Sequence, residues 1–324
     1  MTDKKHKSFS SLFEELNGVP LEAQNPEYEE EGFDLTDEMD HMILMHRDAH
    51  FGGDFQVMLD YYQSEAIGID PDIDYDRICY LQRVEQELGQ NLAPLMLSAG
   101  EAEQVGRCRT AYTGLKEVYE TEQDDYSAAQ LVADLILSEE EEPIQEIEAV
   151  CQYGAGIVPL LIDLIRSDDA YSALFPGYGY APYLAAICLG KLHDPRALIP
   201  LFEMFHKQAI FDDEALLEAF EEFGEPAKQF LLQRVKGKPI TLDNTHAAFA
   251  LCVFSSDLEV SSTALELLKD ADVQRHSLLS TYLLCLCEAL QTSDKRQDLI
   301  TLCDNPKLPK EILLQIKNLV RDWH

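Results

Sequence analysis

The sequence predicts an all-α protein whose C-terminal part stacks antiparallel helix pairs into an α-solenoid, preceded by a more irregular helical region. Three observations carry this prediction. Apolar residues recur at i, i+3, i+4 and i+7 from about residue 36 onward, with no convincing strand alternation between them. Gly154, Gly190 and Gly224 are separated by 36 and 34 residues, a period typical of helical repeat arrays. The text at those glycines also repeats, since GAGIVPLLIDLI from Gly154 aligns without gaps with GEPAKQFLLQRV from Gly224. That alignment pairs Ile157 with Ala227, Leu160 with Phe230, Leu161 with Leu231 and Ile165 with Val235.

Residues 1–34 read as a largely disordered acidic tail, because the stretch Asn25-Pro26-Glu27-Tyr28-Glu29-Glu30-Glu31 cannot bury enough apolar surface to offset its ordering entropy. Within it Phe9, Leu12, Phe13 and Leu16 form one apolar stripe on a short amphipathic helix. Thr36 can cap the next helix, which carries Asp37 and Glu38 in its first turn and Met39, Met42, Ile43 and His46 on one face. Gly52-Gly53 stops it, Asp54 caps a second with Phe55, Met58, Leu59 and Tyr62 on one face, and residues 36–66 read as an antiparallel pair. Further helices are expected at 75–88, 91–98, 101–120 and 127–138, completing an acidic helical region over residues 35–140.

The repeat domain is placed at residues 141–324. Pro143 stands where a first-turn proline belongs, and Ile144, Ile147, Val150 and Cys151 form the apolar face of a helix ending near Gly154. Further on, Gly190 is expected to end a helix with positive φ, Asp194 to cap the next and Pro195 to take its first position. Leu189-Gly190, followed by Asp194-Pro195-Arg196-Ala197-Leu198-Ile199-Pro200-Leu201, resembles the HEAT-like repeats of the phycobilisome-lyase type, over residues 144–236. The resemblance implies helix pairs stacked into a curved superhelix, since one unit cannot bury its own apolar face. Residues 241–322 keep the helix-pair rhythm without the glycine mark.

Composition bounds the function. The chain has 324 residues, 46% of them hydrophobic, and a formal charge of −35, so it can form a large core and is strongly acidic. Residues 1–150 hold 36 acidic and 9 basic side chains, and residues 151–324 hold 24 and 16. Such acidity argues against wide contact with nucleic-acid phosphates and against a polybasic membrane-surface role, leaving two readings, a solvated surface that keeps the chain soluble or an acidic face that recruits a basic protein partner. The eight cysteines lack any CxxC pair and read as small apolar fillers in a reducing cytosol. Residues 170–190 form the longest run without a charged side chain, but Pro176, Gly177, Gly179 and Pro182 make it a loop leading into a buried helix rather than a membrane span.

Catalytic and metal signatures are weak. His46 and His50 are four apart on one helix but lack the HExxH glutamate and a third ligand, so a buried, hydrogen-bonded His46 is the preferred reading. Asp70, Asp72, Asp74 and Asp76 imitate the start of an EF-hand loop, yet Tyr75 takes the glycine position and Leu81 the bidentate glutamate position. Deoxyhypusine hydroxylases, also HEAT-repeat proteins, hold di-iron with His-Glu pairs, and none of the nine histidines here precedes a glutamate. No phosphate-binding glycine loop or GxSxG elbow occurs.

The densest local feature is Tyr171, Phe175, Tyr178, Tyr180 and Tyr183, rigid amphipathic rings of the kind that anchor interfaces. They either pack over the ends of neighbouring helices as an inter-repeat loop or, with Asp212, Asp213 and Glu214, form the expected binding surface; no catalytic residue, metal ligand or cofactor is assigned. The expected function is a non-enzymatic, cytoplasmic interaction scaffold or adaptor with an α-solenoid surface favouring basic proteins. The alternative, implied by the lyase resemblance, is a cofactor-handling enzyme with a small-molecule site at the 171–183 loop.

Overall fold

The computed structural model describes residues 38–63, 73–119, 127–138, 143–207, 214–290, 292–305 and 308–322. Among the described residues there are seventeen α-helices and no strand, so the chain is all-α. The stripe from Phe9 to Leu16, the Thr36 cap and the pair Asp70 and Asp72 lie outside the described residues. The chain divides into two compact units, Met1–Gly114 and Leu115–His324.

The first unit contains α1 (Glu38–His50), α2 (Phe55–Gln63), α3 (Tyr75–Leu88), α4 (Ala93–Met96) and most of α5 (Ala99–Tyr119). The Asp54 carboxylate accepts the Gln56 amide at 2.7 Å and the Asp74 carboxylate accepts the Asp76 amide at 3.0 Å, so both aspartates cap as their positions require. Gly89, at φ 62°, closes α3 in the left-handed region. Both α1 and α2 pack on α3, so α3 is the shared partner of the helices expected to pair with each other.

The buried line of α1 is Asp40, Ile43, Leu44 and Arg47, with His46 beside it, whereas Met39 and Met42 are only half-buried. Two charged residues occupy core positions because their charge is met inside. Arg47 donates to Asp48 Oδ1 at 2.7 Å, to Glu85 Oε2 at 2.7 Å and to Asn91 Oδ1 at 2.8 Å. Its guanidinium also lies 4.5 Å from the Phe55 ring centroid. Arg77 pairs with Asp40 at 2.6 Å.

The second unit contains α6 (Ala128–Leu137), α7 (Ile144–Tyr153), α8 (Val158–Arg166), α9 (Ala181–Leu192), α10 (Leu198–Glu203), α11 (Glu214–Phe223) and α12 (Glu225–Val235). It continues with α13 (Leu242–Ala250), α14 (Leu258–Leu268), α15 (Ser277–Leu286), α16 (Ser293–Thr301) and α17 (Lys310–Asp322). A single apolar core runs from Val132 to Ile316. Its first residues, Val132, Leu135 and Ile136, belong to α6, which the sequence reading had grouped with the N-terminal region.

Helices pack on their neighbours in two registers. Sequential pairs meet (α6 on α7, α8 on α9, α12 on α13, α14 on α15), and so do next-but-one pairs (α7 on α9, α9 on α11, α13 on α15, α15 on α17). Polar links recur with the same reach: Arg166 to Glu203 at 3.1 Å, 37 residues apart, and Gln229 to Glu259 at 2.9 Å, 30 apart. Gln315 to Thr281, at 3.0 Å, spans 34 residues. Lys228 sits between Glu225 and Asp257, each at 2.8 Å, and ties the start of α12 to the start of α14.

The three marker glycines serve different ends. Gly154, at φ 81°, ends α7, and Gly224, at φ 63°, turns the chain from α11 into α12. Gly190 does not end its helix, contrary to the sequence expectation. It lies inside α9, which continues to Leu192 and closes on His193 at φ 52°. A Cβ at Gly190 would come within 2.8 Å of the Ala219 Cα, so this glycine is required by the close approach of α9 and α11. Asp194 does cap, accepting the Arg196 amide at 3.0 Å at a 3₁₀ turn that leads into α10. Ile144, expected on the inner face of α7, is 63% exposed.

Candidate functional site

The aromatic loop between α8 and α9 is packed inward. Tyr171, Phe175, Tyr178 and Tyr183 are buried and Tyr180 is half-buried, so of the two readings of this loop the rings follow the packed one and do not form an exposed contact area. A buried loop must satisfy its own backbone groups, and this one does so through tight turns. The Tyr178 amide donates to Phe175 O at 2.9 Å and the Tyr180 amide to Gly177 O at 2.7 Å. Gly177, at φ 80°, sits where a Cβ would lie 3.0 Å from Ile136 O, which presses the loop onto α6. The Tyr171 hydroxyl donates to Ile165 O at 2.7 Å, and its ring meets Tyr183 edge-on at 6.3 Å. Burial, with Tyr183 and Asp168 nearby, pushes the Tyr171 phenol well above its ordinary range. Glu214 is exposed at the start of α11, and Asp212 and Asp213 lie outside the described residues.

A different set of rings reaches the surface. Phe205 and His206, in the 3₁₀ turn that follows α10, meet α13: Phe205 stacks on His246 at 5.2 Å and lies 6.0 Å from Phe249. His206 meets His246 edge-on at 5.2 Å, and Phe249 meets Tyr282 of α15 at 5.2 Å. Phe205, His246, Phe249 and Tyr282 are all half-buried. Leu242, His246 and Phe249 stand at i, i+4 and i+7 on α13, and Leu278, Tyr282 and Cys285 stand at the same spacing on α15, so each trio shares one helix face. Leu242 is 57% exposed and Leu278 54%, which leaves two large apolar side chains in water at the edge of a continuous aromatic strip.

Polar groups frame this strip. Asp243 takes His206 Nε2 at 3.0 Å and Arg234 at 3.7 Å. Arg234 also covers the Phe230 and Phe202 rings, at 5.1 and 5.4 Å from their centroids. Lys207 pairs with Asp168 and lies over Tyr171. A strip of half-buried rings with a charged rim has the anatomy of a binding surface, in which a few aromatic anchors carry most of the energy.

The sequence reading missed this strip, although a signal existed. Leu242, His246 and Phe249 precede Leu278, Tyr282 and Cys285 by 36 residues each, the period already set by Gly154 and Gly190. Among the described residues, no group of three His, Cys, Asp or Glu side chains is placed to hold a metal; His46 and His50 instead stack at 5.2 Å. No single helix among them is long and apolar enough to cross a membrane. Compared with protein-family models, curated proteins and solved structures, the chain matches none.

Proposed function

We propose that this chain is a non-enzymatic interaction scaffold whose second unit is an α-solenoid of HEAT-like helix pairs. The partner is a protein, engaged through the strip formed by Leu242, His246, Phe249, Leu278, Tyr282 and Cys285. The observation that carries this reading is that exposed Leu242 and Leu278 stand at matching positions on α13 and α15 beside the half-buried rings of His246, Phe249 and Tyr282. The two packing registers, and polar links that recur about one repeat apart, support the solenoid. The inward packing of the 171–183 loop favours a surface-binding role over a small-molecule site at those tyrosines.

The charge of −35 favours a basic partner, whose approach it accelerates and whose rim contacts it strengthens. Quantitative affinity capture from cells that make the protein, across a salt series, tests this. The expected result is a partner rich in Lys and Arg whose recovery falls as the Debye length shrinks from about 10 Å at 0.1 M to about 3 Å at 1 M. Recovery of a partner that is insensitive to salt contradicts the electrostatic part, and recovery of no partner contradicts the scaffold.

A further inference from the structure

We propose that the contact strip continues onto α17 and that its partner is one amphipathic α-helix, laid across α13, α15 and α17 with its C-terminus on α17. The inference rests on the protein-binding reading above and adds the shape, spacing and direction of what binds. Leu242, Leu278 and Leu314 stand 36 residues apart on helices that pack in that order. Leu314 is 61% exposed, as open to water as the other two.

The side chains between α15 and α17 show that these leucines share a surface. The Ser277 hydroxyl donates to Glu311 Oε2 at 3.2 Å and the Gln315 side-chain amide donates to Thr281 Oγ1 at 3.0 Å, so the two helices lie side by side and run parallel. Leu278 follows Ser277 by one residue, about 100° around α15, and Leu314 follows Glu311 by three, about 60° the other way around α17. On facing parallel helices, those opposite rotations bring both leucines to the same side. Buried Ile312 and Ile316 hold the opposite face of α17 against the core.

Spacing selects a helix as the occupant. Packed helices lie about 8–10 Å apart. Seven residues of α-helix rise about 10.5 Å and return to nearly the same face, so apolar residues at i, i+7 and i+14 meet all three leucines. A strand covers each step in about three residues, and an odd step turns alternate side chains away from the surface. Charge sets the direction. Lys310, Lys317 and Arg321 are exposed and stand within about 60° of Leu314 around α17, while Glu311 is turned toward α15 by its bond from Ser277. Such cations complement the unbonded carbonyls and partial negative charge of a helix C-terminus. A partner rich in Lys and Arg can supply that end, because the carbonyls belong to its backbone.

The test places photoreactive p-benzoylphenylalanine at position 242, 278 or 314 of the full chain, in cells that make the protein, and sequences the cross-linked peptides. The three sites are expected to label one segment of one protein, about seven residues apart and in chain order from 242 to 314. Lys310→Glu/Lys317→Glu is expected to lower labelling from 314 by about threefold or more relative to 242. Labelling from 242 and 278 without 314 overturns the extension onto α17 and leaves the protein-binding strip standing. Labels about three residues apart, or labels on this same chain, overturn the occupant. Labels in reverse order, or unchanged labelling from 314 in the charge-reversed chain, overturn the direction. No label from any of the three sites, in chains that melt at the wild-type temperature, overturns this inference and the binding strip together.

Discussion

At the scale of single residues, the chain places charge where the apolar pattern predicts none. Arg47 and Asp40 sit at core positions of α1, both with fully buried side chains, and each is matched by a partner more than thirty residues away in sequence. Hydrophobic periodicity alone could not reveal them, because a charged side chain reads as solvent-facing until its partners are known. The caps at Asp54 and Asp194, by contrast, were legible, since they act locally. Glu101 is a further local device: its carboxylate accepts the Ser98 amide at 2.6 Å while the Ser98 hydroxyl accepts the Glu101 amide at 3.3 Å, a capping box at the start of α5. The Ser98 hydrogen bond first, then His41, hold its carboxyl down at about 2, against an ordinary 4.5. A depressed folded-state pKa contributes stability that is present above 4.5 and is lost as the pH falls toward about 2. E101Q should therefore unfold at lower urea than wild type at neutral pH, with the gap closing across that window. A gap unchanged by acid would contradict the assignment.

At the scale of elements, helix existence and order were readable, while the roles of individual residues within the helices were less so. The expected segments at 75–88 and 127–138 match α3 and α6 to within a residue. The glycine period was also real text, but Gly190 reflects contact between α9 and α11 rather than a chain turn, a distinction that depends on a helix elsewhere in the fold. Gly190→Ala consequently tests helix packing. The added methyl meets the backbone of Ala219, so overpacking should lower stability by about 1–3 kcal/mol despite the better helix propensity of alanine. Gly106→Ala, in α5 with open space at its Cβ, should instead raise stability by about 0.5–1 kcal/mol. Urea denaturation of the two variants decides this, and a stabilised G190A would show that α9 and α11 are not held this closely.

At the scale of the whole chain, acidity and architecture contribute separately. Most of the negative charge lies before residue 150, so any long-range attraction of the proposed basic partner would come chiefly from there, whereas the proposed contact strip belongs to the second unit. Aromatic density, visible in one dimension, left the loop at Tyr171–Tyr183 either packed over neighbouring helices or open to a partner. The fold spends those rings on internal packing and exposes a strip whose members are scattered over α13, α15 and the turn after α10. The central claim is that this strip binds protein, and its most direct test is affinity capture with Leu242→Asp/Leu278→Asp against wild type. Both leucines are more than half exposed, so the variant should melt at the wild-type temperature. The account predicts that partner recovery falls about tenfold or more, corresponding to at least about 1.4 kcal/mol of binding energy. Equal recovery by a folded variant would contradict it.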